Sequence, residues 1–227
     1  MIHLAMAALA EPPHGEAHAG YTGTVAEGYG WVTAAPSVAR VSDASLVVQG
    51  TVSELFYSWN EDGLDRRVDS PGAAIGPGFV YAPRHLTLNM GVAFEVRRPT
   101  LSIDGTTTET TTELGASLTA GLHWRPVHRA AVYGNATLSG ATEYLWARGG
   151  AMFPVIPTFR RDAPVALWLG AEVTHAGSQD TQSLAAGGVA EVPVRALGAA
   201  FSARLGASID HDRNLLPSAG AGVYWAW

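Results

Sequence analysis

Cysteine and lysine are missing from this chain of 227 residues, and all 14 basic residues are arginine. The first absence removes any disulfide framework and any thiol chemistry. Charge of either sign is scarce, at 15% against about 25% in an average soluble domain. The formal net charge of −6 argues against a nucleic-acid partner, whose phosphates call for a basic surface. No run of about 18 apolar residues occurs, which excludes a membrane-spanning helix. No segment carries a sustained helical period either, so hardly any helix is expected. Glycine, by contrast, is plentiful at 26 residues, and 47% of the chain is apolar.

What the apolar residues do have is a period of two. Leu86, Leu88, Met90, Val92, Phe94 and Val96 alternate with Thr87, Asn89, Gly91, Ala93, Glu95 and Arg97. The stretches 114–124, 165–173 and 201–209 repeat the pattern. So does the closing GAGVYWAW, where Ala221, Val223, Trp225 and Trp227 share one parity. Such alternation marks a β-strand with one apolar face. Strands are expected near 17–27, 29–41, 44–59, 73–82, 86–98, 107–125, 130–141, 143–156, 164–175, 184–194, 197–209 and 218–227. Twelve is even, as a closed antiparallel outer-membrane barrel requires. Ten is the fallback, because Ala35-Pro36 interrupts an early strand.

The connections alternate in length. Short ones fall at Ser42-Asp43, at Pro83 to His85, at Pro126 to His128 and at Arg195, and a middling one at Pro157 to Pro164. Longer ones are NEDGLDRRVDSPG, an Asp104-Gly105 hairpin with Thr/Glu arms, AGSQDTQS and DHDRNLLPS. Charge divides the same way. Arg84, His85, Arg125, His128, Arg129, Arg160, Arg161 and Arg195 gather on the short rim. Glu61, Asp62, Asp65, Asp69, Asp104, Glu109, Glu113, Asp180, Asp210 and Asp212 gather on the long one, with Arg66 and Arg67 as exceptions. Short turns on one side and long loops on the other is the habit of bacterial outer-membrane barrels.

Alternation alone also fits a soluble sandwich. The second face separates the two. It carries Gly, Ser, Thr, Ala and Asn with isolated charges, where a sandwich would show water Lys, Glu and Gln. Small, sparingly charged groups suit a confined lumen, and the Leu, Val and Ala face suits lipid. Phe56, Tyr57, Trp59, Trp124, Tyr144, Trp225 and Trp227 sit near strand ends, as in the aromatic girdles of membrane barrels, ordinary core aromatics being the alternative. Unpaired backbone groups in hydrocarbon are costly, so the last strand must pair with the first. The expected fold is all-β: a closed antiparallel transmembrane β-barrel over 17–227 in the bacterial outer membrane. Residues 1–16 read as a signal-peptide remnant, with Ala8-Leu9-Ala10 as its cleavage site, and a short tail. The aromatic C-terminal strand also resembles the assembly signal of outer-membrane proteins. Outer-membrane lipid and the barrel-assembly machinery are therefore expected partners.

Chemistry-bearing side chains are few. His14 and His18 in HGEAH stand four apart, but no helix aligns them, and a solvated tail is expected rather than a metal site. Asp210, His211 and Asp212 read as loop residues. His123 on the small-residue face, and His175 with Ser178 and Asp180 nearby, are ingredients of a lipid-hydrolysing barrel, yet proximity in sequence is not triad geometry. Better candidates share the inward face: Glu95, Glu172 and Glu191 with Arg148 and Arg204. Charges there are paired or hydrated. They either stitch a closed interior or line a polar path for a small solute or saccharide, with Tyr133, Trp146 or Trp168 placed to stack on a sugar ring. No catalytic residue, metal or cofactor is expected.

Several stretches, in order, resemble the bacterial cellulose biosynthesis protein BcsS family: LFYSWNEDGLDRRVDSPGAAIGPGFVY, EYLWARGGAMF, LGAEVTHAGSQDTQSLAAGGVAEV and GAGVYWAW. The likeness runs from about Tyr21 to Trp227 and rests on aromatics, Arg and Gly at matching offsets, with no catalytic motif. It implies a non-catalytic outer-membrane barrel linked to cellulose or another exopolysaccharide, and carries over no functional residues. A small-solute channel and a lipid-acting barrel enzyme are the readings from other classes.

Overall fold

A computed structural model describes residues 15–127, 130–156, 167–178, 182–194, 197–210 and 213–226. The leader-like stretch and His14 lie outside these residues, as do His128, Arg129, Arg160, Arg161, Asp180, Arg195, His211, Asp212 and Trp227.

The period of two becomes strand almost throughout. The elements are β1 (Gly15–Gly23), β2 (Glu27–Val41), β3 (Ala44–Glu61), β4 (Leu64–Tyr81), β5 (Leu86–Arg97), β6 (Thr100–Ile103) and β7 (Thr106–Thr110). They continue as β8 (Glu113–Val127), β9 (Ala130–Ser139), β10 (Tyr144–Ile156), β11 (Leu167–Gly177), β12 (Gln182–Val194), β13 (Ala199–Ile209) and β14 (Leu215–Ala226). Twelve of them form a closed antiparallel ring, in which β5 is followed directly by β8, and β6 and β7 extend from β4. The ring closes where β1 pairs with β14, Ala17 opposite Trp225 and Tyr21 opposite Ala221. Closure leaves the wall without a free edge, the condition for a sheet in hydrocarbon.

The apolar parity points outward. Leu118 is 50% exposed, Leu205 74% and Val223 37%, whereas Glu95, Trp168 and Glu191 on the other parity are 3% or less. A sandwich would reverse this arrangement. Trp124, Trp225 and Tyr81 stand outward at the rim that carries the chain ends, and Tyr21 stands outward near the opposite rim. Tyr144 differs from expectation: it shares the parity of Trp146 and lines the interior with it.

Several boundaries depart from the sequence expectation for local reasons. β1 stops at Gly23 because the Thr24 hydroxyl accepts from the backbone amides of Ala26 and Glu27, at 3.0 and 3.1 Å, and turns the chain. It also begins at Gly15, so Glu16 and His18 belong to the wall. Pro36 does not break β2: it sits opposite Gly15, the first residue of β1, where the ladder on that side begins. NEDGLDRRVDSPG is a hairpin rather than a loop. Asp62 and Gly63 take φ of 56° and 79°, the left-handed pair that a tight two-residue turn needs. Asp104 and Gly105, at 48° and 76°, make the second such turn between β6 and β7.

β3 and β4 have 18 residues each, well beyond the roughly 9–11 that a tilted strand needs to cross a bilayer. Their upper parts leave the wall as a paired hairpin, and that of β4 pairs with β6, Arg66 opposite Ile103 and Asp69 opposite Thr100, while β7 pairs with β6. The result is a small four-stranded sheet above one rim. The expected single strand 107–125 divides accordingly: its Thr-rich start joins this sheet and Glu113–Val127 joins the wall. Arg67 and Asp69 pair on the sheet at 2.7 Å, and that bond raises the Arg67 guanidinium above its ordinary value.

Candidate lumen site

All eight inward candidates from the sequence lie inside the barrel: Glu95, Tyr133, Trp146, Arg148, Trp168, Glu172, Glu191 and Arg204 are each at most 8% exposed. Strand alternation alone puts them there. What they meet depends on the curvature of the ring.

Glu172 on β11 is the centre of one cluster. The Tyr133 hydroxyl donates to its Oε2 at 2.5 Å. Arg204 Nε stands 2.9 Å from Oε1, and Arg148 Nη1 3.8 Å from Oε2. One carboxylate from β11 thus holds side chains from β9, β10 and β13. Buried charges need such company, since an unpaired one forfeits its hydration without return. Glu191, on β12 beside Trp168 of β11, has no exposure, and neither carboxylate oxygen has a hydrogen-bond partner among the described residues. The Arg125 guanidinium covers Trp168 at 4.5 Å. Tyr133 and Trp168, together with Ala131, Met152 and Val189, form the dry packing core. Neither ring is free to face a solute.

A second cluster surrounds Glu95 on β5. Arg97 Nε donates to its Oε1 at 2.7 Å and the Ser139 hydroxyl donates to Oε2 at 2.7 Å. The remaining Arg97 donors reach the Ser70 carbonyl and the Ser53 hydroxyl, both at 3.0 Å. Arg97 was not among the sequence candidates. The alternation of β5 puts it on the same inward face as Glu95.

Between the clusters runs a contact that no periodicity announces. Tyr29 and Trp31 of β2 meet Trp146 of β10 across the lumen, with ring centroids 6.1 and 5.6 Å away. β2 and β10 stand opposite each other in the ring, with five strands between them by either route. Tyr29 and Trp31 stack on each other at 5.4 Å, and the Arg148 guanidinium lies 5.2 Å from the Trp146 ring. Gly20 makes this arrangement fit, because a Cβ there would stand 2.7 Å from the Trp31 indole. The rings divide the interior into two compartments. On the β3 to β9 side lies a cavity of about 90 Å³, walled by Trp31 and Trp146 and faced by Gln49, Asn89, Asn135 and Thr119. At about 30 Å³ of liquid volume per water it would take roughly three waters.

The two histidines that suggested hydrolytic chemistry stand on opposite faces of the wall. His175 lies on the outward parity of β11, with Ala147 and Leu184 as its cross-strand neighbours, so no nucleophile stands beside it in the ladder. His123 is buried inside, opposite Thr87 and Tyr133. No group of three or more His, Asp or Glu able to hold a metal occurs among the described residues.

No protein-family model matches the chain, and no curated protein sequence does. Solved structures do. The β domain of the Bordetella autotransporter BrkA superposes with a TM-score of 0.61 at 10% identity, over 96% of this chain and all of that one, 100%. The transport unit of the autotransporter AIDA-I from Escherichia coli gives 0.58 at 10%, over 100% and 93%. The translocator domain of the autotransporter NalP from Neisseria meningitidis gives 0.53 at 14%, over 94% and 88%. At such identities the likeness is one of fold. With the outward apolar belt and the closed ring, it identifies an outer-membrane β-barrel, and the chain is a bacterial outer-membrane protein.

Proposed function

We propose that this barrel is a non-catalytic component of an exopolysaccharide pathway, with cellulose as the glycan that the sequence resemblance implies, and that it contacts saccharide through its lumen. The observation that carries the reading is the aromatic bridge of Tyr29, Trp31 and Trp146 beside a cavity whose wall, apolar in part, also presents the amides of Gln49, Asn89 and Asn135 and several hydroxyls. Sugars are amphipathic in the same sense: C–H faces suit aromatic rings and hydroxyl rims suit amides and hydroxyls. The inward carboxylates Glu95 and Glu172 are engaged by arginine and hydroxyl donors, which suits a scaffold more than acid–base work. In a cellulose-producing host, in-frame deletion is expected to lower cell-surface cellulose, and the wild-type chain to restore it. Unchanged cellulose in the deletion strain would overturn the reading.

The cavity also supports a second reading, a small-solute channel, because its lining reaches from Glu16 and His18 near the chain-end rim to Arg97 near the opposite one. Single-channel conductance in planar bilayers that falls when Asn135 is enlarged to Trp would favour it.

A further inference from the structure

We infer that the cavity beside the aromatic bridge is a binding subsite for one neutral pyranose ring, either a free sugar or the end of a glycan chain; this rests on the saccharide reading above. Three observations converge on it. The first is size: a cavity of about 90 Å³ admits one sugar ring at most and is too small for a polymer lying across it.

The second is unmet hydrogen bonding. Trp146 is 6% exposed and lines the cavity, yet its Nε1–H has no hydrogen-bond partner among the described residues, and the buried Asn135 Nδ2 has none among them either. Buried donors are nearly always satisfied. Two in one cavity wall point to an occupant that offers oxygen acceptors, and a hydroxyl-rich ring does so along its rim while its C–H face lies on Trp31 and Trp146.

The third is charge. Arg97 is matched by Glu95 at 2.7 Å, and Arg148 lies against Glu172. Glu16, farther along the cavity wall, accepts from the Tyr224 hydroxyl at 3.3 Å. Among the described residues of this lining the one arginine, Arg97, is already paired, and Glu16 disfavours an anion. The site therefore selects glucose-like sugars over sugar acids and sugar phosphates.

The test is isothermal titration of the full-length barrel, refolded in detergent, with glucose, cellotetraose and glucuronate. Saturable binding of a neutral sugar is expected, with glucuronate at least about tenfold weaker. Glucose alone binding identifies a free-sugar site, and cellotetraose alone a chain-end site. Trp146→Ala should weaken binding about tenfold, the scale of one lost aromatic contact, while the outward Trp225→Ala leaves it unchanged. Should Trp146→Ala not refold, Asn135→Leu removes a donor at similar bulk and should weaken binding alone. Absence of neutral-sugar binding, or equal binding by these variants, overturns the subsite. A cellulose defect on deletion without sugar binding would sink the subsite and spare the pathway reading. Sugar binding without a cellulose defect would do the reverse.

Discussion

Trp31 and Trp146 touch across the barrel, 5.6 Å between ring centroids, although their strands stand on opposite walls. A wall of hydrogen-bonded strands can flatten or breathe, and a side-chain strut between opposite staves restrains both motions. The strut uses the cheapest available material, since large rings bury much area for few rotatable bonds.

Removing one end of the strut is the direct test. Trp146→Ala, at the buried end of the strut, should cost about 3 kcal/mol or more, the usual scale for a large core aromatic cut to alanine, and should lower the urea midpoint of the refolded protein. Trp225→Ala, on the lipid side, should cost less. Equal losses at the two sites would mean that the bridge adds nothing to stability.

Gly20 gives an independent view of the same contact. A valine there places methyl groups where the Trp31 indole lies, so Gly20→Val should displace the ring and weaken its near-ultraviolet circular dichroism. Gly50, opposite Ala34 on a neighbouring strand, has open space around it, and Gly50→Ala should leave the spectrum unchanged.

The Glu172 cluster makes a different prediction. Arg204→Ala leaves the carboxylate with Arg148 at 3.8 Å and the Tyr133 hydroxyl. Breaking a buried pair from one side typically costs about 3–5 kcal/mol. Triple replacement, Arg148→Met and Arg204→Met with Glu172→Leu, removes all three charges and should recover part of that loss. A triple variant worse than the sum of its parts would show that the cluster does more than neutralise itself.

The strand set and its two faces were legible because alternation is a local property. Leu88, Leu118 and Val223 needed only their neighbours in sequence to be placed outward, and Glu172 and Arg204 to be placed inward. Which inward residues meet was not legible. Parity assigns Trp31 and Trp146 to the lumen but says nothing of where β2 and β10 stand around the ring. Tyr133 and Trp168 illustrate the same limit: both point inward as expected, but packing claims them before any solute can. The hairpin at Asp62-Gly63 was legible in principle, since Asp-Gly between strand-like arms is a strong turn signal. It was obscured by Asp65, Arg66, Arg67 and Asp69, whose charges read as loop because they stand in water beyond the membrane.

The lipid-facing assignment yields a depth-dependent prediction. Leu118 lies near the middle of β8, between Val92 and Leu138 on its neighbours. Leu118→Arg should destabilise the barrel in vesicles by about 2–4 kcal/mol, as a cation at the bilayer midplane does. Thr108→Arg on the sheet above the rim should change nothing measurable, and equal effects would refute the lipid assignment.

The seam between β1 and β14 has a kinetic corollary. Glu16 and Tyr224, bonded side by side, lie 208 positions apart in sequence, so the contact that completes the cylinder is also among the most distant the chain can make. Pairings of that span are slow to find. The polypeptide must therefore be held unfinished, its two end staves waiting, until the whole length is at the bilayer, and a chain interrupted before its final residues would have nothing to shut against.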